Sequence, residues 1–326
     1  MTDKQCFAVL PALMLMAAGV AQAQALALAW PARPVRILSP YTAGSTVDIM
    51  ARIIGPKLGT ALGQQVIVEN RGGAGGAIGM EATARAPKDG YTMMLAASGF
   101  AVIPGLNKTL TWDPVKDFAP ISQVANAPLV LVATPDFPAR TLGELVSLAK
   151  AQPGRLRFGH AGIGSSQHMA GELLCYAAGI DMVHVPYKGG KESLSDMLGG
   201  RLEMSFQGVA AVLPTIRSGA VRPIVVTGTK RSAALADTPA IGEAGLPSAA
   251  ANVWFGLLAP AGVPAPVLGR LNAEVVALMK SQDVAEAFEK SGAEPTTSTP
   301  DEFARMIRND VATWARVIAQ RGIKGE

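Results

Sequence analysis

Runs of strand length alternate with amphipathic helical stretches along most of the chain, and this alternation limits the architecture more than any other feature. Residues 35–38 read as a strand and 47–62 as a helix, followed by strand 65–69, helix 78–85 and strand 91–97. Further strands are expected at 129–133, 155–158, 182–185, 202–206 and 224–227, with helices between them. This pattern predicts α/β layers, with parallel sheets covered by helices on both faces. Thr141-Leu142-Gly143-Glu144 reads as a capping box. The last part differs. Residues 253–259 form a buried strand, and Pro264 and Pro266 open a helix reaching Lys280. Thr299-Pro300-Asp301-Glu302 then combines an N-cap, a first-turn proline and a capping glutamate. The helix behind it gathers Phe303, Met306, Ile307, Val311, Trp314, Val317 and Ile318 on one face, so it must dock on the body of the protein.

The N-terminus does not share this pattern. Lys4 precedes an uncharged apolar run over residues 7–20, and Ala21-Gln22-Ala23 and Ala23-Gln24-Ala25 both offer the small-x-small pattern of a signal-peptidase site. The run is too short to span a bilayer, which needs about 20 apolar residues. Residues 1–25 therefore read as a leader of an exported, soluble periplasmic protein. Roughly 300 residues remain, more than one core usually supports, so two lobes are expected. Cys6 leaves with the leader, and Cys175 alone cannot form an internal disulfide. The net charge of +4 is spread without a basic run or interleaved aromatics, which argues against nucleic acid and suits an anionic small ligand.

Catalytic signatures are missing. Residues 71–79 (RGGAGGAIG) lack G-x-G-x-x-G spacing, and no P-loop, H-E-x-x-H or G-x-S-x-G occurs. His160, His168 and His184 lie on separate elements, with no acidic or thiol neighbour at metal-ligand spacing, so neither metal nor cofactor is expected. No enzyme is read here. Two glycine-rich loops remain, each leaving a strand and entering a helix: residues 39–48 (SPYTAGSTVD) and 159–168 (GHAGIGSSQH). Each reads either as a tight turn capped by a serine or as an anion site built from helix N–H groups. Two in one chain favour the anion site.

At these loops the sequence resembles the Bug family, the tripartite tricarboxylate transporter substrate-binding proteins. The resemblance runs from Trp30 to Ile323. It is carried by WPARPVRILSPYTAGSTVDIMAR (30–52), VENRGGAGGAIG (68–79), PKDGYTMMLA (87–96), DPVKDFAPIS (113–122), HMAGELL (168–174), VHVPYKG (183–189), WFGLLAPAGVP (254–264) and GAEPTTSTPDEF (292–303). It implies a two-lobed type II periplasmic binding fold of the Venus-flytrap kind, each lobe a mainly parallel sheet flanked by helices and the chain crossing twice. The lobes would be 30–126 plus 254–326, and 127–253. It further implies a monomer that binds a small organic acid for uptake or sensing, without converting it. Membrane subunits of a tripartite tricarboxylate transporter are its implied partners.

The implied ligand contacts are Tyr41, Thr42, Ala43, Gly44, Ser45 and Asp48 from the first loop, and Ala161, Gly162, Gly164, Ser165, Ser166 and His168 from the second. Ser98, Tyr187 and Gln207 complete them. Two positions depart from the family pattern: Gly44-Ser45 stands where Gly-Gly is usual, and Gln207-Gly208 where Asp-Asn is common. A neutral Gln207 would favour a ligand whose distal group is uncharged or acidic over one with an ammonium. Asp48 reads as helix-stabilising or ligand-touching, His184 as half buried in its strand, Lys188 as solvated or anion-pairing, and Cys175 as an inert core thiol.

Overall fold

The computed structural model describes residues 30–323 and residue 325, so the expected leader lies outside the described residues. The chain opens with β1 (Val35–Ser39), α1 (Thr46–Leu62), β2 (Val66–Asn70), α2 (Ala77–Ala84), β3 (Thr92–Ala97) and the short α3 (Ile103–Leu106). A long β4 (Phe118–Ala133) follows, then α4 (Leu142–Ala151), β5 (Arg157–His160), α5 (Ser166–Ala178) and β6 (Val183–Pro186). After these come α6 (Gly190–Leu198), β7 (Met204–Gly208), α7 (Val209–Arg217) and β8 (Arg222–Val226). The chain closes with β9 (Asn252–Pro260), α8 (Ala265–Met279), α9 (Gln282–Lys290), the two-residue β10 (Glu294–Pro295) and α10 (Pro300–Arg321).

Two parallel units form as expected. β1 pairs with β2 and β3, and β5 pairs with β6 and β7. The strands that join them run the other way. The first part of β4 is antiparallel to β9, its last five residues from Leu129 are antiparallel to β7 and β8, and β9 returns antiparallel beside β3. The order is β2-β1-β3-β9-β4-β7-β5-β6, a mixed sheet shared by two lobes, with β4 leading out and β9 leading back. Residues 118–128 were not expected as strand, because Pro120, Gln123, Asn126 and Pro128 break any apolar run. The long apolar β9 templates them, with register shifts at Pro120/Ser122 and Gln123/Ala125 absorbing the irregularity.

The first lobe packs α1 on the sheet through Val47, Met50, Ile54 and Leu58, all buried at three- and four-residue steps. Each such side chain contributes roughly 1.5–3 kcal/mol. The C-terminal helix α10 docks as its apolar face requires. Phe303 and Ile307 are buried, and Phe303 meets Trp254 edge-on at 5.3 Å. The Thr299–Glu302 capping box forms in full. The box expected at Thr141 is only half made: Thr141 Oγ1 accepts from Glu144 N–H, but the Glu144 carboxylate reaches the N–H of Arg140.

Candidate functional site

The first loop is built around a buried carboxylate. Ser45 caps α1, its Oγ accepting from Asp48 N–H. Asp48 turns back on the loop: Oδ2 accepts from Gly44 N–H at 2.8 Å, while Oδ1 accepts from Arg52 Nε and Asn70 Nδ2, both at 2.9 Å. Burial opposes ionisation, but the bonds from Arg52, Gly44 and Asn70 outweigh it and hold the carboxyl below its ordinary range. Gly44 has φ +83, a left-handed conformation that side chains rarely adopt. Ser165 caps α5 in the same way, accepting from His168 N–H.

Between the lobes lies a cavity of about 270 Å³. Four helices turn their N-terminal residues to it: Thr46 and Val47 of α1, Ser166 and Gln167 of α5, Gly190 and Lys191 of α6, and the cap residue Gly208 of α7. First-turn N–H groups have no intrahelical acceptor, and helix N-termini carry partial positive charge. Lys191 is the one charged side chain among the described lining residues. Leu129, Leu194, Val253 and Phe255 supply apolar wall. Tyr41 Oη and Thr46 Oγ1 are buried without a hydrogen-bond partner, and both residues line the cavity. Burial also raises the Tyr41 phenol far above its usual value, so it stays a neutral donor.

Of the residues expected from the sequence, Tyr41, Gly44, Ser45, Ala161, Ser166 and Gln207 line this cavity. The others act elsewhere. Thr42 donates to Glu192 across the cleft (3.3 Å), and Ser98 bonds Ser166 at 3.0 Å. Asp48 spends Oδ2 on Gly44 of its own loop and Oδ1 on Arg52 of α1 and Asn70 of β2, and Ala43 does not reach the lining. Gly162 faces Gly75: a Cβ on Gly75 would lie 2.1 Å from the Ile163 carbonyl, so the glycine-rich segment serves close backbone contact between lobes. Gly164 and Ser165 support the second loop through His168, the first by its N–H to Nδ1, the second as N-cap. Tyr187 points away and donates to Asp196 (2.8 Å); burial, then that carboxylate, pushes its phenol up to about 12. Lys188 is exposed outside the cavity, the solvated alternative of the two read for it, and Lys191 is the lysine that lines the cavity. Gln207 is buried, its amide nitrogen 2.8–2.9 Å from Gly190 O, Ser193 Oγ and Ser205 Oγ. Both its N–H bonds are thus spent within the lobe, which corrects the expectation that it could donate to a distal acid; only its carbonyl oxygen remains.

The histidines also require correction. His160, His168 and His184 lie on separate elements, yet each offers a ring nitrogen within 4.8 Å of the others. The parallel register sets His184 opposite Phe158, one diagonal step from His160 on the same face, and the first turn of α5 lays His168 over them. Glu172, one helical turn beyond His168, approaches its Nε2 at 3.7 Å, so an acidic neighbour is present after all. His168 therefore faces this cluster and not the cleft. Burial, then the neighbouring imidazole, pushes His160 down to about 3 and His168 to about 4, so both are neutral. Cys175 borders the same side of α5, its thiol pushed up to about 12 mainly by burial.

Two α/β lobes joined by crossing strands, with a cavity at their seam ringed by helix N-termini, define a solute-binding protein of the periplasmic type. The sequence description "Tripartite tricarboxylate transporter family receptor" (TctC) matches residues 50–323, and the chain belongs to that family. It is 35% identical to protein BugT of Bordetella pertussis over 96% of both chains. Its structure is similar to that of the periplasmic binding protein BugD, with a TM-score of 0.87 and 32% identity, covering 91% of this chain and 100% of that one. The same TM-score, at 33% identity and the same coverage, relates it to Rpa4515 of R. palustris with adipate.

Proposed function

We propose that the interlobe cavity grips the carboxylate of a small organic acid whose body is largely apolar, and that the protein hands this ligand on chemically unchanged. The observation that carries the reading is the convergence of four helix N-termini on one cavity that also holds Lys191 and the unpartnered hydroxyls of Tyr41 and Thr46. Each charge-assisted hydrogen bond contributes roughly 1.5–3 kcal/mol, so four or five donors reach micromolar affinity. The apolar wall suits a hydrocarbon body, and the spent amide of Gln207 leaves an acceptor for a hydroxyl. Adipate in a relative of 33% identity supports the class of ligand.

On this reading the chain is exported with loss of residues 1–25. Residues 30–126 plus 254–326 close on 127–253 as a monomer, and a tripartite tricarboxylate transporter receives the cargo. A thermal-shift screen of the mature protein against short aliphatic and aromatic acids tests the reading. Acids that raise Tm should be recovered unaltered by mass spectrometry. A product of changed mass would show an enzyme instead.

A further inference from the structure

The function above uses neither the histidine cluster nor Glu172. In the tautomer that donates Nδ1–H of His160 to the Gly162 carbonyl at 2.9 Å, the 3.2 Å contact with the Gly162 N–H is given up and Nε2 keeps a lone pair. Its Nε2 lone pair then points at His184 Nδ1, 3.2 Å away. A tetrahedral zinc with metal–nitrogen distances of about 2.0–2.1 Å sets its imidazole nitrogens about 3.3–3.4 Å apart, close to this spacing. A backbone carbonyl on the far ring nitrogen is also the usual support for a ligating imidazole. His168 supplies the second, independent sign. Only 1% of it is exposed, its Nε2 has no hydrogen-bond partner, and the Glu172 carboxylate stands 3.7 Å off, beyond hydrogen-bond reach. A solvent-accessible pocket of about 410 Å³ runs past His168, His184, Glu172 and Cys175, giving an ion a path in.

We propose that His160 Nε2, His168 Nε2, His184 Nδ1 and the Glu172 carboxylate bind one divalent transition metal of the zinc class, behind the second ligand loop. Three imidazoles and a carboxylate suit zinc, cobalt or nickel and not the hard, oxygen-seeking magnesium or calcium. Binding has two internal costs. With His160 Nε2 as acceptor, His184 Nδ1 donates the proton between them, so to ligate through Nδ1 that ring must carry its proton on Nε2 and the 3.2 Å bond is given up. His168 Nδ1 accepts the Gly164 N–H at 3.2 Å, which leaves the ring proton on Nε2. To ligate through Nε2 the ring must carry that proton on Nδ1, so the long bond from Gly164 is exchanged for the metal bond. Gly164 belongs to the second loop, and the metal therefore sets the support of that loop.

The test is titration of the untagged, chelator-treated mature protein with Co²⁺ alone, read by calorimetry and by the visible spectrum. One equivalent should bind with the intense absorption of a tetrahedral site, and Zn²⁺ should displace it. His184→Ala and Glu172→Gln, each checked for folding by circular dichroism, should weaken Co²⁺ at least hundredfold and about tenfold respectively, whereas Cys175→Ser should bind as wild type does. Glu172 is partly exposed on its helix, so that variant remains informative should His184→Ala fail to fold. Absence of saturable one-to-one binding, full retention in the folded variants, or loss in Cys175→Ser overturns the proposal.

Discussion

Ser98 and Ser166 face each other across the cleft with their Oγ atoms 3.0 Å apart, and the same Ser166 hydroxyl accepts from Gly99 N–H at 3.1 Å. Ser166 also lines the cavity, so one side chain both bridges the lobes and borders the proposed ligand site. Replacing it with alanine removes two bonds worth roughly 0.5–1.5 kcal/mol each. Ser166→Ala should lower ligand affinity about tenfold and make the ligand-free protein measurably larger in small-angle scattering. An unchanged radius of gyration would show that the latch does not hold the closed form.

Asp48 predicts a pH dependence of folding. Its folded pKa lies below the unfolded value, so it stabilises the fold above the unfolded value of about 3.9, and this contribution is lost as pH falls through the folded pKa. In Asp48→Asn, an amide N–H₂ must face Gly44 N–H or the Arg52 and Asn70 donors. Loss of about 2–3 kcal/mol at neutral pH is expected from its charge-assisted bonds. The difference in Tm between wild type and variant should shrink as the pH is lowered below 4; a constant difference would refute the charge-based account.

Asp310 carries the opposite sign. It accepts from Trp254 Nε1 at 2.7 Å on the docking face of α10, and burial raises its pKa despite that bond. A carboxyl raised on folding costs stability above its unfolded pKa and nothing below it. Asp310→Asn keeps an acceptor for Trp254 without the charge. The variant should melt higher than wild type at pH 7 and lose that advantage below pH 4, as followed by calorimetry. A variant that melts lower at pH 7 would contradict this.

Much of the fold could be read in advance because strand and helix periods alternate cleanly, as in 35–62, and because 299–302 caps an unmistakably amphipathic helix. Residues 118–128 escaped because their strand character comes from pairing with β9 and not from their own polarity pattern. β5, β6 and β7 start one to two residues later than expected, so Gln207 falls inside a strand and is consumed by Ser193, Ser205 and Gly190. Two of the four helix N-termini at the cavity were visible as glycine-serine loops; Gly190-Lys191 and Gly208 lack that signature. The histidine cluster was hidden by a one-residue error of register: laying the expected 155–158 on 182–185 sets His184 opposite Arg157, whereas the observed pairing of His184 with Phe158 turns it onto the His160 face.

Lys191 gives the anion reading its own test. As the sole charge among the described lining residues it should contribute through a screened attraction. Lys191→Met should weaken binding of an organic acid about tenfold and flatten its dependence on salt. An identical salt dependence in the two proteins would place the recognition of charge elsewhere.

The central claim, a carboxylate held by helix N-termini, is tested most directly by isothermal titration of the mature protein with the acid that most raises its Tm and with the matching primary amide. The amide keeps size and body but removes the charge and places donors against Thr46, Ser166 and Lys191. The acid should bind at micromolar affinity or better, with the amide at least a hundredfold weaker. Equal affinities for acid and amide, or no acid that binds at all, would contradict the account.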